Sequence, residues 1–515
     1  MLNTRYGLSK KLTQADIERC LDHMAVVYTK KHRKFSRDFL DTLDWRLLAK
    51  GYYLIAEQYV DECVVQLFKL TQSHLISQYH SDCLPSTMAT LGQGKLAVIL
   101  KPILKERALV SHVTLAVNQL QYGIEDENHK TTERVLLEAE RVVLPKLQKP
   151  SPLTTLEFEV VKGYTPKLSV KKLQLDKQQL HKFSEESRLD FWITHLKLDT
   201  QRYETPQVTL TPKMRSDEAA KIILKSFLHD IQVNEQVVID DVDVECLHEY
   251  RVAIRRTRSF LSQVPNIFPK RTLEKYKKGL AMIGGITTPQ RDLDVMLLEF
   301  DHYLAFLPKH LHSSFEPVAV FIQQQRYQAY QNVTRYLRSA KYKDLITGWQ
   351  AFLYKGVPER TSLANAVLPV EQVANQCIWK TYKKLLKKGK KINSRSEDEA
   401  LHDLRKIGKK LRYLVEFFSS LHSKKEIKQV VKTLKLLQDN LGEFQDIHVH
   451  QTLLAEIRRE MQQSKTLQAD TEQAFELLQQ ALEVKHQQCR QRFYASFAGF
   501  SDESHQAIFI KLYKS

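Results

Sequence analysis

The sequence predicts a multidomain protein in which an α+β N-terminal half precedes an all-α C-terminal half. In the first half, residues 156–160 (LEFEV) alternate apolar and acidic side chains, which is typical of a half-buried strand. From Asp217 onward, apolar residues recur at helical spacing, and no proline follows Pro369. The length of 515 residues allows two to four domains at about 150 residues each.

The boundary between the halves is expected where both patterns stop. Pro206 and Pro212 lie in a polar segment at this position, and prolines interrupt both helices and strands. We therefore expect an N-terminal domain over residues 1–205, a linker over 206–216 and a C-terminal domain over 217–515.

Within the first half, the patterns predict helices over residues 14–25 and 61–78. They predict strands over residues 95–104, 109–122 and 134–144, in addition to 156–160. Helices and strands in one domain predict an α+β fold.

Charge and cysteine usage narrow the function class. Lys and Arg number 78 against 60 Asp and Glu, so the net charge is +18 and favours a polyanionic partner. Six scattered cysteines without a C-x-x-C pair indicate a reducing compartment, so we expect a cytoplasmic protein. Neither a signal peptide nor a long apolar segment is evident, and we expect no membrane partner.

The second half contains an internal repeat. Leu-His-x-x-Arg occurs at His248 and again at His402, and Asp-x-x-Val recurs at Asp292 and Asp446, always 154 positions apart. Two copies of one helical unit are the simplest interpretation. We expect the repeat halves over residues 217–365 and 366–515.

Each copy carries a row of cations on one helix. At about 100° per residue, the row members fall within a stripe about 80° wide, opposite an apolar face. A charge row is most often a solvated face. Here hardly any acids lie on the stripe to form stabilising pairs, and a histidine begins both rows, so we predict an anion-binding face. The rows are His248, Arg251, Arg255 and Arg258 in the first copy, and His402, Arg405, Lys409 and Arg412 in the second.

Further charged residues surround the rows. A basic helix in the segment WKTYKKLLKKGKK adds Lys383 and Lys387 to the predicted site.

Asp292 and Asp446 are expected to begin a later helix or to pair with the basic helix. His448 and His450 point about 200° apart on a helix, so we predict no metal site.

The segments LHEYRVAIRRTRSFL and LHDLRKIGKKLRYLVEFF, each followed by an Asp-containing segment, resemble the two halves of a CHAD domain. The resemblance covers about Asp217 to Tyr494. It implies two pseudo-symmetric helical bundles whose basic faces bind inorganic polyphosphate, and it assigns this role to the two rows. The first copy departs from the family pattern at residues 286–289, where we expect a change at a helix start.

The first half resembles the CYTH family, which forms an antiparallel β tunnel for triphosphates. The resemblance rests on residues 39–51 (FLDTLDWRLLAKG) and 157–164 (EFEVVKGY). The family's metal-holding E-x-E-x-K strand has no counterpart, because residues 1–12 contain no glutamate. The acidic pairs Glu138/Glu140 and Glu157/Glu159 are interpreted as solvent-facing strand positions. We therefore expect a degenerate, non-catalytic tunnel or docking domain that takes no metal or other cofactor.

The leading hypothesis is a polyphosphate-binding protein, at polyphosphate granules in the cytoplasm, with another extended polyanion as the wider ligand class. The alternative is a metal-dependent triphosphatase whose helical half supplies substrate to the N-terminal tunnel. A nucleic-acid binder is a third hypothesis, disfavoured because no base-stacking aromatic residues alternate with the rows.

Overall fold

The computed structural model describes residues 4–8, 13–70, 74–91, 94–143, 152–165, 180–183 and 185–514. The chain divides into two compact units, Met1–Glu204 and Thr205–Ser515, called here the N-terminal and C-terminal units. Residues 205–215 carry no helix or regular strand before the first long helix of the C-terminal unit. Across the described residues, every helix is too short or too polar to span a bilayer.

The N-terminal unit is built on one sheet. In the described residues, nine strands pair antiparallel in the order β5-β4-β3-β2-β6-β7-β8-β1-β9. The strands are β1 Thr4–Leu8, β2 Tyr28–Asp41, β3 Tyr52–Gln58, β4 Cys63–Lys69, β5 His74–Ser81, β6 Val110–Glu125, β7 Thr131–Val142, β8 Leu153–Val160 and β9 Leu180–Lys182.

The α-helices that accompany the sheet in the described part of this unit are α1 Gln14–His23, α2 Arg46–Ala49, α3 Lys95–Leu104 and α4 Glu185–His195. Apolar residues of α1 and α3 pack on one face of the sheet, where Leu54 and Tyr122 are buried. Trp192 of α4 packs on the opposite face with Phe39 and Val117. The alternation of side chains along each strand allows apolar clusters to form on both faces of the sheet.

The N-terminal predictions are confirmed in part. Helix α1 and strands β6, β7 and β8 lie where the patterns predict them, although residue 144 is outside the described residues. The strand predicted over 95–104 is wrong: this segment is α3, because a short apolar run fits a buried helix equally well and Leu96, Leu100 and Leu104 share its buried face. The helix predicted over 61–78 is also wrong, because the described part of this segment forms β4, which pairs with β3, and the first residues of β5, which pairs with β4.

Helices alone build the C-terminal unit, apart from short 3₁₀ turns, in the residues described, which confirms the all-α prediction. They are α5 Ser216–Ile239, α6 Val244–Gln263, α7 Lys270–Leu298, α8 Phe300–Leu304, α9 His312–Leu337, α10 Ala340–Tyr354, α11 Val370–Gly389, α12 Asp398–Phe417, α13 Lys424–Gln463, α14 Ala469–Phe500 and α15 Glu503–Tyr513.

The internal repeat reappears in the helix boundaries. Helices α11, α12 and α13 begin 154 residues after α5, α6 and α7, respectively. Helix α6 also ends 154 residues before α12 ends. The copies then diverge, because α13 has 40 residues whereas α7 has 29 and is followed by the short α8.

Two predictions about local helix starts are wrong. Helix α7 continues through residues 286–289, with Pro289 inside it, so no helix starts there. Asp292 and Asp446 likewise lie inside α7 and α13 instead of beginning a helix. A proline inside a helix costs about 3 kcal/mol. Burial of the same helix, as at Ile283 and Leu293, offsets that cost.

Two glycines give a test of the packing in the second copy. A β-carbon at Gly389 would overlap the ring of Phe497, whereas one at Gly442 of α13 would meet nothing within 4 Å. We expect Gly389→Ala to lower the free energy of unfolding by about 1–3 kcal/mol through overpacking. Gly442→Ala should raise it by up to about 1 kcal/mol through helix propensity. Urea unfolding measures both, and equal effects would contradict the packing of α14 against α11.

Candidate anion-binding site

The two basic rows lie on α6 and α12, which pack against each other. Asp243 caps α6 by accepting a hydrogen bond from the backbone of Cys246 at 2.8 Å. Phe260 of α6 contacts the rings of Phe417 and Phe418 at the end of α12, with centroids 5.5 and 6.1 Å apart. The buried apolar faces of α6 and α12 pack together, so the cations lie along the half-exposed sides of these two helices.

All eight predicted row members are half-buried: His248, Arg251, Arg255, Arg258, His402, Arg405, Lys409 and Arg412. The two remaining predicted residues, Lys383 and Lys387, are exposed on α11. Half-burial matters because a charge near low-dielectric material interacts with its neighbours more strongly than a fully solvated one.

Three of the row residues form one cluster that combines both copies. The pKa of Lys409 is lowered to about 8, first by burial and then by the positive charges of Arg405 and Arg255. Burial also lowers the pKa of Arg405, and Arg255 again adds to this effect. Arg255 belongs to α6, so the repulsion crosses from one copy to the other. We call Arg255, Arg405 and Lys409 the central cluster.

The central cluster is short of counter-charges. Among the described residues, no carboxylate lies within ion-pair distance of Arg255 or Lys409, which occupy equivalent positions 154 apart. The Nε groups of Arg255 and Arg405 are buried without a hydrogen-bond partner in the same part of the chain. Buried donors without acceptors cost stability, so an anion that accepts from them would be stabilised here.

Asp446 and Asp292 border the cluster. Asp446, 62% exposed, pairs with Arg405 at 3.0 Å, which confirms its predicted role as a partner of the basic helix. Burial raises the pKa of Asp292, although Arg251 and Arg291 oppose the shift. An exposed carboxylate on an arginine is a weak competitor for that arginine.

In the first copy, the arginines lie against the backbone of α7. Arg251 donates to the Gly284 carbonyl at 3.0 Å and to the hydroxyls of Thr287 and Thr288 at 2.6 and 3.1 Å. A β-carbon at Gly284 would come within 3.1 Å of a guanidinium nitrogen of Arg258. The sequence prediction missed these partners, and their only signal was the glycine- and threonine-rich text IGGITTP.

In the second copy, the first and last residues of the row, His402 and Arg412, bond to neighbouring side chains. Arg412 pairs with Glu416 at 2.6 Å, and Glu416 also pairs with Arg256 of the first copy at 3.2 Å. His402 donates from its Nδ1 to the side-chain oxygen of Gln445. The sequence prediction did not include Glu416 or Gln445, because neither matches the repeat pattern.

The basic helix α11 is joined to α12 outside the rows. Lys388 of α11 pairs with Asp403 of α12 at 3.0 Å, and Lys383 lies 5.7 Å from the ring centroid of Trp379. The described contacts do not bring Lys383 or Lys387 to the central cluster. These two lysines extend the positive surface without belonging to the half-buried cluster.

His450, one of the two histidines considered for a metal site, contacts an aromatic side chain. His450 shares a hydrogen bond of 2.9 Å with the Tyr303 hydroxyl. In the described part of the chain, no group of three or more His, Cys, Asp or Glu side chains has the arrangement of a metal site.

A family model supports the assignment of the second unit. The model of the CHAD domain matches residues 222–455. Residues 222–455 are therefore a CHAD domain. This stretch contains both basic rows and both members of the Asp292/Asp446 pair. Among curated proteins, no relative matches the chain.

Solved structures with similarity to the chain include the following three. The CHAD domain from the plant Ricinus communis is 23% identical, with a TM-score of 0.48, and the match covers 58% of this chain and 95% of that one. PptA from Streptomyces chartreusis is 14% identical, with a TM-score of 0.43, covering 55% and 99%. A putative adenylate cyclase from Bacillus halodurans is 11% identical, with a TM-score of 0.25, covering 36% and 95%.

The antiparallel sheet that precedes the CHAD domain resembles a tunnel-like domain of the CYTH type. The prediction that its acidic pairs face solvent is wrong: Glu138, Glu140 and Glu157 are buried, and Glu159 is half-buried. Strand alternation has two possible faces, and pairing within the sheet turned these carboxylates inward.

Buried arginines neutralise these carboxylates. Arg37 of β2 pairs with Glu138 at 3.1 Å and also pairs with Glu140, while Arg188 of α4 pairs with the same two at 3.1 and 3.3 Å. Burial alone would raise the pKa of Glu138, but Arg37 and Arg188 hold it well below its ordinary value. Arg5 of β1 pairs with Glu157.

The divalent metal that the CYTH resemblance implies does not fit this interior. Metal-binding carboxylates must have oxygen atoms free for the cation. Here guanidinium groups occupy Glu138, Glu140 and Glu157, and Trp192 Nε1 donates to Glu140 at 3.0 Å. The charge that a metal would supply is already supplied by arginines.

The buried ion pairs give a stability test. Arg188→Ala would leave Glu138 and Glu140 with less compensation, so we expect a loss of about 3–5 kcal/mol in unfolding free energy. The matched control is Arg134→Ala, whose side chain is 41% exposed beside Glu159, with an expected change below about 1 kcal/mol. Urea unfolding followed by tryptophan fluorescence measures both. Similar losses would mean that the interior pairs do not support the fold.

Proposed function

We propose that this protein binds inorganic polyphosphate on the basic faces of its CHAD domain. The observation that carries the proposal is the central cluster, in which Arg255 and Lys409 of the two copies have no described ion-pair partner. Repulsion among these cations is relieved by an anion that contacts several of them together.

A linear phosphate chain fits this arrangement. Arginine guanidinium groups bind phosphate oxygens in bidentate fashion, whereas lysine acts as a mobile point charge. The chain would displace the exposed carboxylate of Asp446 from Arg405, which costs little because an exposed ion pair is weak. His402 and His248, at the start of each row, would add donors where the ligand extends beyond the cluster.

Nucleic acid is a poorer fit to the same surface. Binding of single strands without sequence preference relies on aromatic platforms beside the cations. Tyr250 of α6 is buried, and Tyr413 of α12 stacks on Phe417, with ring centroids 6.0 Å apart. We further propose that the N-terminal unit does not hydrolyse triphosphate, because arginines hold its carboxylates, and that the protein associates with polyphosphate granules.

Replacement of the three cations of the second row tests the site. We expect the variant Arg405→Ala/Lys409→Ala/Arg412→Ala to bind long-chain polyphosphate about a hundredfold or more weakly. Each charge-assisted hydrogen bond to phosphate that the variant cannot form is worth about 1.5–3 kcal/mol. The fold should persist, because Leu404, Leu411 and Val415 on the opposite face stay buried. Isothermal titration calorimetry at two salt concentrations measures the affinity and its salt dependence.

The matched control removes the same charge from the other unit. Lys95, Lys101 and Lys130 are exposed in the N-terminal unit, and their triple replacement by alanine should change the affinity less than about threefold. Equal losses in the two triple variants would show that net charge, and not a formed site, attracts the anion.

The pKa of Lys409 predicts how binding depends on pH. Lys409 loses its proton as the pH rises through about 8, so its positive charge is present below that value and lost above it. Polyphosphate affinity should therefore decrease between about pH 7 and pH 9.5. The Lys409→Arg variant stays charged over this range. The change in its polyphosphate affinity between these two pH values should therefore be about tenfold smaller. Identical pH profiles for the two proteins would exclude Lys409 from the binding face.

A further inference from the structure

Part of strand β2 has an open edge. The strand pairs with β6 along its length, from Tyr28 to Asp41, but with β3 only from Ser36 to Leu40. Residues 28–35 therefore extend past the end of β3 and have no strand on that side among the described residues. An open edge presents alternating backbone donors and acceptors to any strand that can pair with it.

This edge is strongly basic. It contains the run Lys30-Lys31-His32-Arg33-Lys34, in which Arg33 is half-exposed and the others are exposed. Lys30 pairs with Glu18 at 2.7 Å, and His32 is hydrogen-bonded to Asn118. No ion pair of Lys31, Arg33 or Lys34 is found in the described part of the chain. Their cross-strand neighbours on β6, from Asn118 to Tyr122, are uncharged.

A protective role does not account for four cations within five successive residues. One or two edge lysines deter unwanted edge-to-edge pairing. Successive residues of a strand point to opposite faces, so this run places positive charge on both faces of the overhang. Like charges on neighbouring positions repel one another, and a binding partner with acidic side chains on both faces would relieve that repulsion.

We propose that the open edge of β2 at residues 28–35 binds an extended acidic peptide as an added strand. The charges select acidic side chains, and the backbone selects a peptide over a phosphate chain. A phosphate chain only accepts hydrogen bonds, so it would leave the edge carbonyls unpaired, whereas a peptide strand supplies both donors and acceptors.

The geometry also limits the peptide length. An added strand would lie in line with β3 and would meet the turn after Gln58, where Val60 is 95% exposed. The overhang from Tyr28 to Phe35 therefore accommodates about eight residues, or about 27 Å of extended chain.

The experiment uses the full chain carrying Arg405→Ala/Lys409→Ala/Arg412→Ala, so that the proposed polyphosphate site does not mask the edge. The probe is a fluorescent peptide of sequence Glu-Glu-Val-Glu-Glu-Val-Glu-Glu, followed by fluorescence anisotropy. We expect saturable binding that weakens about tenfold or more in Lys31→Glu/Arg33→Glu/Lys34→Glu. Replacement of Lys95, Lys101 and Lys130 by glutamate makes the same change toward negative charge elsewhere on the N-terminal unit. This variant should change peptide binding less than about threefold.

A second probe separates strand pairing from charge attraction. The same peptide with N-methyl groups on alternate residues keeps every carboxylate but cannot pair along one edge, so we expect about tenfold weaker binding. Equal binding of the methylated peptide would overturn the proposal, as would equal losses in the two glutamate variants. Polyphosphate that binds this edge more tightly than the peptide would also overturn it. None of these results bears on polyphosphate binding by the intact CHAD domain, which is measured separately with the native rows.

Discussion

The packing of α6 against α12 places like charges from two repeat copies side by side. Phe260 and Phe417 bring the helices together through their apolar faces, and the same contact places Arg255 near Arg405 and Lys409. Burial of apolar surface is favourable enough to hold these cations close together despite their mutual repulsion. The resulting excess of positive potential is a property of the pair of helices, since neither row alone contains the central cluster.

The two units differ in whether their buried and half-buried charges have partners of opposite sign. In the N-terminal unit, Arg37 and Arg188 are matched to Glu138 and Glu140, so the charges are balanced within the fold. In the CHAD domain, the positive charge of Arg255 and Lys409 has no such match among the described carboxylates. Removing a partner from a balanced set is costly, whereas an unbalanced set gains from an added anion. This contrast is the physical basis for our proposal that the first cluster stabilises the fold and the second binds an anion.

Duplication explains the common plan of the two copies, and their differences show where it has been modified. Arg251 is held by the carbonyl and hydroxyl groups of α7, but its counterpart Arg405 is held by the exposed carboxylate of Asp446. A guanidinium fixed by several buried acceptors loses little freedom when a ligand arrives, but it also has fewer donors left to offer. The second copy therefore has the more available cations, and the first copy has the more rigid ones.

The sequence alone determined the features that depend on local periodicity. The stripe through His402, Arg405 and Lys409 follows from helical spacing, and the offset of 154 followed from a comparison of the chain with itself. Segments such as 95–104 were not decided locally, because a short apolar run has no period that separates a strand from a helix. Only tertiary structure decided which face of β7 and β8 is buried, and it turned Glu138 and Glu157 toward arginines that lie far away in the chain. The convergence of Arg255 with Lys409 was likewise invisible in the sequence, because a distance between two helices depends on how their apolar faces pack and not on the spacing within either one.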